Sequence, residues 1–134
     1  PVASPPLITL SHYYVGDDPI TGAIIGAALH VYDVLGPGFL EAVYQSAFAR
    51  VLAERAIPTQ REHVLPVWFE GAPLDVTYRV DFLCFDVLVE LKALQSIGPA
   101  EFGQVINYLK ACGGGKALLI NFGSRKFEVR RFVV

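Results

Sequence analysis

The chain has 134 residues, of which 53% are hydrophobic and 18% charged, with mean hydropathy +0.43. That is one domain's worth of residues, rich enough in apolar side chains to fill a core and leave some for a homodimer interface, and it leaves little room for long disordered tails. A net charge of -2 and a pI near 5.9 exclude a generally basic nucleic-acid binder, although the charge is uneven. No Lys or Arg precedes Arg50, while six basic residues and the single acid Glu128 follow from Lys110 onward. That basic end suits either phosphate contacts or a solvated, protected sheet edge.

Residues 1–16 open Pro-rich and continue through Tyr13 and Tyr14, and read as an N-terminal arm before a single domain over 17–134. Asp17-Asp18-Pro19 marks a helix start, because an Asp caps free N–H groups and Pro suits the first helical position. The helix should reach Leu35, with Ile24, Ala27, Ala28, Val31 and Leu35 forming an apolar stripe; Gly36-Pro37-Gly38 stops it. A second helix is expected over Phe39–Ala56, its stripe built from Leu40, Val43, Tyr44, Ala47, Phe48, Val51 and Leu52.

The period then changes to that of strands. "TQREHVLPVWF" reads as one, Glu70-Gly71-Ala72-Pro73 as a turn, "DVTYRVDFLC" as the next strand and "VLVELKA" as the third. Gly98-Pro99 opens a helix to about Cys112, Gly113-Gly114-Gly115 breaks it, "KALLINF" is a strand, Gly123-Ser124 a turn, and "KFEVRRFVV" a last strand or edge. The order ααβββαββ predicts an α/β fold with a mixed central sheet flanked by helices. Cys84 and Cys112 fall in no CxxC and near no His, and read as buried thiols of an intracellular, cytoplasmic protein. No membrane span and no basic leader is expected.

The charges in "VDFLCFDVLVELKA" conflict with this apolar frame. Glu90 and Lys92 are two apart and share a strand face, with Val87, Val89 and Leu91 on the other. If Phe85 and Asp86 form a two-residue turn, Cys84 faces Val87, Leu83 faces Leu88, Phe82 faces Val89, and Asp81 faces Glu90. Two facing carboxylates repel, and a divalent cation between them would reverse the sign. The alternative is a three-charge network on an exposed sheet face; a register slip of one would also send Asp81 to the other side.

The spacing Asp81-x8-Glu90-x-Lys92 resembles the signature of the PD-(D/E)XK nuclease superfamily. Gly38-Phe39-Leu40-Glu41-Ala42-Val43-Tyr44 fits GxxExxY, the motif of a family of small proteins placed in that superfamily, and "LLINFG" is similar to its later sequence. The resemblance runs from about Ile20 to Val134. It implies a PD-(D/E)XK (restriction-endonuclease-like) core and a Mg²⁺-dependent nuclease, with Mn²⁺ as a substitute and nucleic acid, DNA in the first place, as partner. Asp81, Glu90 and the Leu91 carbonyl would hold the metal. Glu41 would hold a second metal or its water, and Lys92 would aid the attacking water. Gln104 and Tyr108 fit a Gln-x3-Tyr element of one branch. Four residues apart, they are neighbours on one helix face, which without the resemblance reads as a core Tyr and a rim Gln.

The rival expectation is a module of the same fold that binds nucleic acid or protein without cutting. His30 is read as structural or as reaching the site. His12 and His63 receive no role. Trp68 and Phe69 suit base stacking, but packing in the core or an interface is the plainer expectation.

Overall fold

The computed structural model describes residues 8–10 and 18–134. The elements are β1 (Ile8–Leu10), α1 (Pro19–Leu35), α2 (Glu41–Glu54), β2 (Thr59–Phe69), β3 (Ala72–Cys84), β4 (Val87–Lys92), α3 (Pro99–Ala111), β5 (Lys116–Asn121) and β6 (Glu128–Val133). From α1 onward this is the expected ααβββαββ order. β1 was not foreseen: part of the stretch read as an arm pairs with β6 as an antiparallel edge strand. The remainder of residues 1–17, with His12, Tyr13 and Tyr14, lies outside the described residues.

The strands order as β1-β6-β5-β4-β3-β2. β4 and β5 run parallel, and α3 supplies the crossover between them; every other pair is antiparallel. The parallel pair is buried on both faces, which is why "VLVELK" and "KALLIN" are almost continuously apolar. Val89, Leu91, Leu118 and Ile120 face α1 and α2; Leu88, Leu119 and Phe132 face α3.

Local chemistry fixes the helices. Asp18 caps α1, its Oδ1 accepting from the amides of Ile20 (3.1 Å) and Thr21 (3.2 Å). Its Oδ2 also accepts from Lys116 Nζ (2.8 Å) and Arg131 Nη2 (3.0 Å), so the start of α1 is tied to β5 and β6. With Arg130 lying over the Phe102 ring at 4.8 Å, three of the six C-terminal cations serve the fold and are not an open phosphate-binding face. The Gly98 amide donates to Glu101 Oε1 (2.7 Å) at the start of α3.

Three apolar expectations need correction. α2 begins at Glu41, later than expected, so Leu40 precedes the helix and is 80% exposed; Val43 also faces outward, leaving Tyr44, Phe48, Val51 and Leu52 as the buried stripe. Cys84 is buried, but Cys112 is exposed, because it sits beyond the end of α3 beside the glycine turn. Trp68 and Phe69 belong to neither core; they stand at the turn end of the long β2–β3 hairpin and stay exposed. Among the described residues no helix is long and apolar enough to cross a membrane.

Candidate active site

The predicted register holds through Cys84↔Val87, Leu83↔Leu88 and Phe82↔Val89. At the next position the backbone ladder gives way to side chains. The Asp81 amide donates to Glu90 Oε1 (3.0 Å), and the Leu91 amide donates to Asp81 Oδ2 (2.9 Å). The two carboxylates therefore bridge strands whose backbones no longer pair. The ladder on the other side of β3 also skips this level: Arg61↔Phe82 and His63↔Val80 pair, but Glu62 and Asp81 do not, and Glu62 has φ 49°. Val80 packs toward α3 while Phe82 packs toward α1 and α2, so simple alternation fails at Asp81. Such local breaks re-aim side chains beside functional sites.

Glu90 is only 6% exposed in a strand whose one other charge is Lys92 at its end. Burial, reinforced by the facing Asp81 charge, pushes its carboxyl up to about 7. Burial raises Asp81 as well, against the opposing effects of the Leu91 amide and Lys92. Burial raises both acids, and the Asp81 charge raises Glu90 further, so the pair keeps a proton into the neutral range, on Glu90. Lys92 stands beside them, its Nζ 3.9 Å from Glu90 Oε2. Glu41 comes from the start of α2 to the same neighbourhood; burial raises its carboxyl, the Asp81 charge adds to this and Lys92 opposes it. Gln45 Nε2 donates to Glu41 Oε2 at 3.2 Å.

From the other face, the Tyr108 hydroxyl reaches Glu90 Oε2 at 3.5 Å, the outer limit of a hydrogen bond. Burial, followed by the Glu90 charge, raises that phenol well above its ordinary range, and the Gln104 side chain lies against it. The structure thus brings Asp81, Glu90, Lys92, Glu41, Tyr108 and Gln104 into one region. His30 is not among them; it lies exposed in the groove between α1 and α2 with Arg50 and Glu54.

Two positioning residues were missed in the sequence. Tyr44, fully buried, donates to the Gly36 carbonyl (2.6 Å), accepts from the Phe39 amide (3.2 Å) and stacks on Phe122 at 4.7 Å. It holds the Gly36–Gly38 loop that delivers Glu41. Asn121 is also fully buried, and its Oδ1 accepts from the Leu94 amide (2.9 Å) and the Gly123 amide (3.1 Å). Its Nδ2 donates to the Leu94 carbonyl (2.8 Å) and Glu128 Oε1 (2.7 Å). With the Phe122 amide donating to the Lys92 carbonyl (2.8 Å), it fixes the strand end that carries Lys92. A Cβ at Gly123 would come within 2.4 Å of the Leu94 backbone, so only glycine permits this approach. The available signals were a lone amide in "ALLINF" and a Tyr spaced from a Gly-Pro-Gly turn.

The donor set consists of carboxylate oxygens, which hard divalent cations take. Among the described residues no three side chains of His, Cys, Asp and Glu already form a cage; Asp81 and Glu90 are the converging pair, and Glu41 stands nearby. This chemistry fits a divalent ion held by Asp81 and Glu90. The sequence model of the PD-(D/E)XK nuclease superfamily matches residues 18–132, more than four fifths of the chain. No curated protein and no solved structure gives a significant match.

Proposed function

The chain belongs to the PD-(D/E)XK nuclease superfamily, and from that premise we propose that it hydrolyses phosphodiester bonds of nucleic acid, with DNA as the expected substrate and Mg²⁺ as the expected metal. The observation that carries this reading is the pair of half-buried Asp81 and buried Glu90, with Lys92 Nζ 3.9 Å from Glu90, set where the ladder breaks. Asp81, Glu90 and the Leu91 carbonyl would hold the ion, with Glu41 available to a second one. A bound divalent ion supplies Lewis acidity toward the phosphate and a lowered pKa for attacking water. Lys92 brings a fixed positive charge to offset charge developing on the phosphate and to orient the water. The Tyr108 hydroxyl steadies Glu90 from the α3 side, and Gln104 steadies Tyr108.

One observation favours a second reading, a module that binds nucleic acid without cutting it: both acids already accept amides of the opposing strand, a use that folding alone can explain. Calorimetric titration with Mn²⁺ and Mg²⁺ separates the two. Binding to the wild type that disappears in Asp81→Asn/Glu90→Gln, together with metal-dependent cleavage of DNA, is the expected result. A folded wild type that neither binds metal nor cuts in its presence sinks the nuclease reading and leaves the binding module.

A further inference from the structure

Trp68 is the chain's single tryptophan. It is 59% exposed, and Phe69 beside it is 61% exposed. Neither contributes to folding the cores, and adjacent exposed aromatics mark a surface that meets something. Between this end of β2 and the last turns of α3 lies a cleft of about 270 Å³, lined by Val67, Trp68, Tyr78, Asn107, Lys110 and Ala111. That lies just below the usual ~300–1,000 Å³ of small-molecule pockets, which suits one planar ring system. No carboxylate lines it, and among the described residues Lys110 forms no ion pair.

Two tyrosines link the cleft to the acid pair. The Tyr78 ring lies 5.6 Å from the Tyr108 ring, and the Tyr108 hydroxyl reaches Glu90. On α3, Asn107 sits one turn beyond Gln104, on a neighbouring part of the same face. An aromatic wall, an amide with both donors and acceptors, and an unpaired ammonium together suit a base stacked through its face with its phosphate near the cation. We propose that this cleft takes an unpaired nucleobase of a single-stranded nucleic acid, stacked on Trp68 with its phosphate at Lys110; Tyr78 and Tyr108 lie between it and the Asp81–Glu90 pair. The inference rests on the nuclease reading only for what happens at that pair; the cleft and its cation stand without it.

Because no other tryptophan is present, indole emission reports on Trp68 alone. Metal-free protein is titrated with oligothymidylate and, separately, with a blunt duplex, while anisotropy of a labelled strand follows binding. Saturable quenching by the single strand and none by the duplex is expected. Trp68→Ala should weaken single-strand binding about 5- to 100-fold, the range of one base–aromatic stack, while Trp68→Phe retains most of it. Lys110→Ala should lower the salt slope by about one phosphate contact. Unchanged emission while the labelled strand binds overturns the proposal, as does equal quenching by the blunt duplex or no strand binding at all. Emission that shifts with protein concentration alone, with doubling of mass by light scattering, assigns Trp68 to a second copy of the chain and also overturns it. Failure of the nuclease reading looks different: Trp68 is quenched by the strand, but no metal-dependent cleavage follows.

Discussion

Asp18 and Glu90 both expose little of the side chain, 12% and 7%, with Glu90 the more deeply set, and their surroundings push them in opposite directions. Asp18 caps a helix and faces two cations; Lys116 contributes most to holding its carboxyl at about 2. Glu90 faces another acid and is pushed up to about 7 by burial and by Asp81. Burial alone therefore does not decide what a buried acid is for; its partners do. An acid paired with cations strengthens the fold, whereas Glu90, turned toward Asp81, keeps a charge repulsion that the Asp81 amide bonded to it does not remove. That second pattern is the one expected of a functional site.

Lys92 is the residue whose loss should cost most. On the nuclease reading, Lys92→Ala should lower the cleavage rate about 10²–10³-fold, about 3–4 kcal/mol at the transition state. Metal binding, followed by calorimetry, should persist. Retained cleavage would remove Lys92 from the chemistry and leave it as a mere neighbour of Glu90.

The acids themselves give the next largest effect, with a sign that distinguishes them from Asp18. Unfolded, Glu90 titrates near 4.5; folded, it is near 7. Between those values the native state binds the extra proton, so the stability of the metal-free protein should fall as pH rises from about 4.5 to 7 and stay low above. Glu90→Gln keeps an oxygen for the Asp81 amide and removes the charge. It should flatten that slope and raise stability at about pH 8 by on the order of 2–3 kcal/mol in urea denaturation. A variant that is less stable at that pH would show that the carboxylate serves folding after all.

Asp18 should behave in the opposite sense. Its folded pKa lies below its ordinary value, so its contribution is present above about pH 4 and is lost as pH falls toward 2. Asp18→Asn preserves the helix cap but leaves Lys116 and Arg131 without their anion. The expected cost near neutral pH is about 1–2 kcal/mol, vanishing in acid. A cost that persists below about pH 2 would mean that the cap geometry matters more than the ion pairs.

How much of this was legible in the sequence follows the range of each interaction. The β3–β4 register was readable because a two-residue turn at Phe85-Asp86 fixes it locally, and α1 was readable from Asp18 and Pro19. Glu90 stood out because a strand buried on both faces does not otherwise admit a charge. Three features were not readable. The pairing of Ile8–Leu10 with β6 spans almost the whole chain, and three residues carry too little pattern to announce a strand. Leu40 fits the helical spacing but lies just before the helix, because α2 starts only at Glu41. Asn121 looks like an intruder in an apolar strand until Leu94, Gly123 and Glu128 close around it and use all of its hydrogen-bonding groups.

Tyr44 tests the finest part of the contrast, because it lies in the same short motif as Glu41 but on the folding side. Its hydroxyl lies between the Gly36 carbonyl and the Phe39 amide, and its ring packs against Phe122. Tyr44→Phe keeps the ring and the stack and removes only the hydroxyl. The Gly36 carbonyl and the Phe39 amide then lose their shared partner, costing about 1 kcal/mol of stability. The loop before α2 loosens, and Glu41 with it. Cleavage should therefore fall severalfold, with a smaller change in metal affinity, since Asp81 and Glu90 do not touch this loop. If Glu41 is a direct ligand of the tightly bound ion, calorimetry will instead show affinity falling as far as activity, and the boundary between the folding residues and the site moves one helical turn into α2.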